Sequence, residues 1–159
     1  HIHTLLQNTD VRKTYHALVL GGPAEDEGVI DAPIARKPLP SLLRYVNQEG
    51  KPSVTRYRVL EQRGAVSRLA LQPITGRTHQ IRAHLASQSH PIIGDYKYGN
   101  RKINDEYKAK YGLESQLLHA YRMELPVLTE ELANISEKKF VAPLPTLFSK
   151  IIQAEKQGR

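Results

Sequence analysis

The segment Val54-Thr-Arg-Tyr-Arg-Val-Leu60 alternates in side-chain character. A period of two is the repeat of a β-strand with one buried face. Thr55, Tyr57 and Val59 share one face; Arg56 and Arg58 fall on the other. A second run, Val66-Ser-Arg-Leu-Ala-Leu71, turns Leu69 and Leu71 inward, and Arg63-Gly64 lies between the two. Together they predict an antiparallel hairpin. A hairpin with one apolar face is not stable alone in water, so the rest of the chain must supply strands and helices to cover it. Val11 to Leu20, stopped by Gly21-Gly22-Pro23, predicts one such strand. Leu117 to Leu125, before Pro126, predicts another, and Phe140 to Pro143 a short last one. Val29-Ile30-Asp31 and Pro33-Ile34-Ala35 read as a short edge strand, because Pro33 cannot donate to a ladder. Glu25 to Gly28 and Lys37 to Lys51 read as loops.

Three helices are expected around these strands. The first is Arg77 to Ser89, with Ile81 and Leu85 on one face and Thr75 or Thr78 as its cap. Asn104 to Tyr111 is stopped by Gly112, and Leu147 to Glu155 turns Leu147, Ile151 and Ile152 inward. The fold class is therefore α+β, a mostly antiparallel mixed sheet with flanking helices.

Several chemistries are excluded by what the 159 residues lack. There is no cysteine, hence no disulfide, thiolate zinc site or cysteine nucleophile, a usage that fits a reducing, cytoplasmic setting. No apolar run approaches the roughly 20 residues of a membrane span. No Gly-x-Gly-x-x-Gly, Gly-x-x-x-x-Gly-Lys or Gly-x-Ser-x-Gly pattern occurs, so no nucleotide cofactor is expected. His79 and His84 are five apart, about 140° around a helix, and no Asp or Glu lies between Gly64 and Gly94 to complete a metal site.

The net charge of +7 is concentrated. Residues 77–102 carry Arg77, Arg82, Lys97, Arg101 and Lys102 against Asp95 alone, with three histidines besides. Such a cluster points to a polyanion. An arginine at the start of a helix opposes the macrodipole, so Arg77 calls for an anionic partner. Arg82, five residues on, points elsewhere. Turned inward it needs a carboxylate; turned outward it is a surface charge.

These residues carry a resemblance. Thr75-Gly-Arg-Thr-His-Gln-Ile-Arg-Ala-His84, then His90-Pro-Ile-Ile-Gly-Asp95 and Tyr98-Gly99, resembles the signature of the RluA/RluC/RluD-type pseudouridine synthases. Lys13-Thr-Tyr15, Gly50-Lys51 with Thr55-Arg-Tyr57, Leu117-Leu-His-Ala120 and Ala142-Pro-Leu-Pro145 extend the likeness in order from about residue 11 to 148. The resemblance implies isomerisation of uridine to pseudouridine in RNA, with large-subunit ribosomal RNA the nearest substrate and transfer RNA a further one. No metal or cofactor is implied.

By the same resemblance Tyr15 meets the target base and Arg82 pairs with the catalytic aspartate. Leu118 lines the pocket; Arg77 and His79 brace it or touch phosphate, and Lys13 contacts RNA. Asp95 matches a structural loop position. The family's His-Arg-Leu-Asp and Thr-Ser-Gly motif does not occur in these 159 residues. The chain, opening at His1 without Met, therefore reads as the C-terminal part of a catalytic domain over residues 1–159, with Arg82 lacking its partner. The competing reading is a basic RNA-binding module without chemistry.

Overall fold

A computed structural model describes residues 12–124 and 139–157. Eight strands and three helices follow one another in these segments: β1 (Arg12–Leu20), β2 (Glu27–Asp31), β3 (Ile34–Arg36), β4 (Arg44–Val46), β5 (Val54–Arg63), β6 (Val66–Pro73), α1 (Gln80–Ser87), α2 (Arg101–Tyr111), β7 (Leu118–Glu124), β8 (Lys139–Val141) and α3 (Thr146–Gln157). Six strands form one sheet in the order β2-β5-β6-β1-β7-β8, and β3 and β4 form a separate ribbon. Every pairing is antiparallel.

The hairpin of β5 and β6 forms as its pattern requires, with Tyr57 opposite Leu71 and Val59 opposite Leu69. Gly64 makes the turn at φ 57°, a left-handed conformation that only glycine enters freely. On one face Ala17, Val19, Leu69 and Leu71 pack with Ile81 and Leu85 of α1. On the opposite face Leu18 and Val66 pack with Tyr107 of α2 and with Phe148, Ile151 and Ile152 of α3. Burial on both faces lets β1 be apolar from Ala17 through Val19.

Four local expectations are corrected. Residues 29–35 do not make one edge strand: Val29 to Asp31 belong to β2 at the sheet edge, while Ile34 starts β3 in the ribbon. Pro33, lacking an N–H, sits at the break between them. Glu27 and Gly28 are strand, not loop; Gly28 faces Tyr57, whose ring occupies the space a Cβ would need. The stretch from Lys37 to Lys51 contains β4, paired back on β3. Finally, α1 begins at Gln80 rather than Arg77, and neither threonine caps it, because His79 takes the cap position in the left-handed region at φ 54°.

Candidate functional site

Alpha-1 is fixed to β5 by a buried chain of hydrogen bonds. His84 Nε2 lies 2.8 Å from Ala32 O, and a carbonyl only accepts, so His84 carries its proton there. Its Nδ1 then accepts from the Thr55 hydroxyl at 2.8 Å. Thr55 Oγ1 in turn accepts from Gln80 Nε2 at 2.9 Å, and the same amide donates to Val54 O at 2.8 Å. Gln80 Oε1 accepts from the Thr75 hydroxyl and the Arg77 N–H, tying the start of α1 to the turn before it. The side-chain polar atoms of Gln80, Thr55 and His84 all have partners, as burial demands. Burial lowers the His84 pKa, so the ring stays neutral.

This anchorage sets where the cations go. Arg77 precedes the helix, and its Nε donates to Pro52 O at 3.0 Å, so the expected opposition to the helix dipole does not arise. Arg82 sits in the first turn of α1 and does not lack a partner. Its Nε donates to Asp95 Oδ2 at 2.8 Å and its Nη2 to Asp95 Oδ1 at 3.0 Å. This two-pronged pairing raises the Arg82 pKa. Asp95 is almost fully buried, at 1% exposure, and Oδ1 also accepts from the Lys97 and Tyr98 N–H groups.

The Asp95 loop is itself braced. Gly94 turns at φ 88° and donates to Asn104 Oδ1, while Asn104 Nδ2 donates to Asp95 O. Upstream, Ile92 bridges Val19 and Ile93 bonds Leu18, tying the loop to the end of β1. The carboxylate that meets Arg82 is thus held by two elements of the core.

Tyr98 completes the arrangement. Its ring lies 4.8 Å from the Arg82 guanidinium carbon. Its hydroxyl accepts from Arg44 N of β4 at 2.9 Å, leaving its own hydrogen for His79 Nδ1 at 2.8 Å. Partial burial, with Arg82, Lys97 and Arg44 nearby, lowers the His79 pKa. Across the ribbon Arg36 stands directly opposite Arg44. Like charges in that relation repel; Lys37 and Lys97 are exposed as well.

Tyr15 projects from β1 on the α1 side of the sheet, where it packs beside Tyr57 and Leu118 on the same core as Ile81 and Leu85. A bulge in the β1–β7 pairing falls beside it, between Thr14 and Tyr15. There a depression of about 520 Å³ is lined by Lys13, Tyr15, Ala120, Tyr121, Met123 and Val141, among others. Leu118 is two residues along β7 from Ala120 and is not in the wall of this depression.

The structure therefore groups Arg82, His79 and Tyr98 at α1, and Lys13 with Tyr15 at the β1–β7 seam. No hydrogen bond or ion pair joins the two groups among the described residues. Sequence reasoning missed Tyr98 as a member of the first group, and Thr55 and Gln80 as its anchors. The signal was present in the Thr55 face of β5, which carries a polar residue where an apolar one packs just as well.

An α-helix holding a bidentate Arg–Asp pair against a six-stranded antiparallel sheet, with a tyrosine-lined depression at the β1–β7 seam, defines a class. The family model for RNA pseudouridylate synthase matches residues 1–87, and the chain belongs to that family. Among its relatives, ribosomal large subunit pseudouridine synthase C of Vibrio cholerae is 40% identical over 124 residues, covering 78% of this chain and 39% of that protein. Ribosomal large subunit pseudouridine synthase D of Nitrosomonas europaea is 46% identical over 121 residues, 76% of this chain and 35% of that protein. The chain spans less than half the length of these curated relatives. Human RNA pseudouridylate synthase domain containing 4 superimposes with a TM-score of 0.73 at 28% identity, over 98% of this chain and 66% of that one. The sheet with flanking helices is the fold expected from sequence.

Proposed function

We propose that this chain is the C-terminal part of the catalytic domain of a cytoplasmic enzyme that isomerises uridine to pseudouridine in RNA, with large-subunit ribosomal RNA as substrate. In that reaction the N1–C1′ bond breaks and a C5–C1′ bond forms; the proton on C5 is lost and N1 gains one. Reaching a stacked uridine requires flipping it out, at a cost of a few kcal/mol. A basic surface for the backbone and an aromatic side chain for the base meet that cost.

The observation that carries the reading is the Arg82–Asp95 pair. Asp95 occupies Nε and Nη2, and among the described residues nothing bonds Nη1. Arg82 is thus held rigid with one nitrogen left for a second carboxylate. That carboxylate is the nucleophilic aspartate, supplied by sequence outside these 159 residues. Asp95 fixes the guanidinium and does not attack the sugar. Tyr15 stacks on or bonds the base in the depression it lines, and Leu118 backs the tyrosine from the core. Lys13, Arg77 and His79 meet RNA, helped by Arg36 and Arg44 on the ribbon.

The test uses the whole reading frame that contains this chain, acting on a transcript labelled with tritium at uridine C5. Arg82→Ala is expected to lower tritium release by at least about 10²-fold while the protein remains folded, as for loss of a group that organises the reacting carboxylate. Near-wild-type release contradicts the role given to Arg82.

A further inference from the structure

The face of the sheet turned away from Tyr15 and α1 carries chemistry that the account above does not use. Arg56 and Arg58 project there from β5, two residues and so about 7 Å apart. Pairing places them in two rows across the sheet. One runs Glu27, Arg58, Ala70, His16 and His119; in the other, Arg56 stands opposite both Val29 and Gln72, while Thr14 stands opposite Arg122. Gln72 Nε2 reaches Thr14 Oγ1 at 3.5 Å and joins the two halves of that row. Between the rows lies an open depression of about 520 Å³ lined by Thr14, Glu27, Val29, Arg56, Arg58 and Gln72, among others.

Helices α2 and α3 cover the Leu18–Val66 end of this face and leave the depression open. Its cations are unequally matched. Arg68 pairs with Glu61 at 3.3 Å and Arg122 with Glu124 at 3.2 Å. Arg56 and Arg58 are exposed and form no ion pair among the described residues, although Glu27 stands opposite Arg58.

A second observation is independent of exposure. His16, 9% exposed, stacks on Tyr121 with ring centroids 4.1 Å apart, and its buried Nδ1 has no hydrogen-bond partner. Burial, with Arg68, His119, Arg122 and Arg58 around it, pushes its pKa down to about 4. Burial, the larger cause, disfavours a charge of either sign; Arg68, His119, Arg122 and Arg58 add a positive field that attracts an anion at the open surface beside them.

We propose that this face is a second RNA-contact surface, in which Arg56 and Arg58 bind consecutive phosphodiesters of the strand flanking the target, with Thr14 and Gln72 as hydrogen-bond partners. It rests on the RNA reading of the chain but not on the assignment of Tyr15 or Arg82. A phosphate-bearing strand suits the face because two unpaired guanidiniums on one strand present paired donors to it.

The test is binding of a fluorescein-labelled RNA stem-loop to the protein of the whole reading frame that contains this chain, across a salt series. Arg56→Glu with Arg58→Glu is compared with wild type and with Lys13→Glu. The double reversal is expected to weaken binding about tenfold or more, and Arg56→Gln with Arg58→Gln to lower the slope of log K against log salt by about 1.4–1.8. Both arginines are exposed, so both double variants should fold; if the reversal does not, the glutamine pair decides. Wild-type affinity and slope in the folded variant, with Lys13→Glu weakened, overturn this surface and leave the front site standing. Failure of wild type to bind RNA at all overturns both.

Discussion

Asp95 shows how much one side chain can decide. It is buried, it holds Arg82 through two hydrogen bonds, and it caps the turn that carries Tyr98. Removing one partner of a buried ion pair leaves a charge without compensation. Asp95→Asn is therefore expected to cost roughly 3 kcal/mol in urea unfolding; a loss under about 1 kcal/mol contradicts the pairing described. Histidine provides a second test. The fold holds His16, His79 and His84 below their ordinary pKa of 6.5. The unfolded chain then binds protons more readily, so their contribution is complete above about 6.5 and is lost as pH falls, for His16 toward about 4. His16→Phe keeps an aromatic ring beside Tyr121 and cannot titrate. Its melting temperature should fall less steeply than that of wild type over this range, and parallel curves contradict the burial of a neutral His16. None of this was legible in the sequence. Nothing near Arg82 in the chain marks Asp95, thirteen residues on, as its partner, and spacing left a solvent-exposed arginine equally open.

At the level of elements, periodicity revealed the strands and the apolar stripes, because alternation and 3.6-residue spacing register burial directly. It placed β1, β5, β6 and β7, and the inward Leu69, Leu71, Ile81 and Leu85. Missed were the short β4 and the break after β2, where three-residue strands carry too few positions for a period. The start of α1 was misplaced for another reason: its cap is a left-handed backbone conformation at His79, with no side-chain capping bond for a Thr or Asp pattern to signal. The polar chain from Gln80 through Thr55 to His84 makes the anchorage of α1 testable. Thr55→Val removes an acceptor and a donor of nearly the same shape. It should destabilise the protein by about 1–3 kcal/mol, the cost of stranding buried polar groups, and an unchanged unfolding midpoint contradicts the network. The Asp95 loop depends on its glycine. At φ 88°, with Ser115 O where a Cβ would stand, Gly94→Ala is strained twice. A folded Gly94→Ala protein of wild-type stability contradicts that geometry.

At the scale of the whole molecule, the sheet carries two unlike faces. One combines α1, the Arg82–Asp95 pair and the Tyr15 depression; the other combines the α2–α3 core with the open arginines of β5. The family was legible because its motif is long and ordered along the chain, and the matched model and superposition agree with it. The assembly of the site was not, since the ribbon, α1 and the Asp95 loop converge on Tyr98 from positions far apart in the chain. On the proposed reading the nucleophilic aspartate lies outside these residues, so the isolated chain is expected to form no pseudouridine on a uridine-containing transcript. Turnover by the purified chain contradicts that division of labour. The most direct measurement is carbodiimide mapping of pseudouridine in large-subunit ribosomal RNA from cells with and without the gene that contains this chain. The account predicts that one or a few sites disappear with the gene; a map unchanged at every position would contradict it.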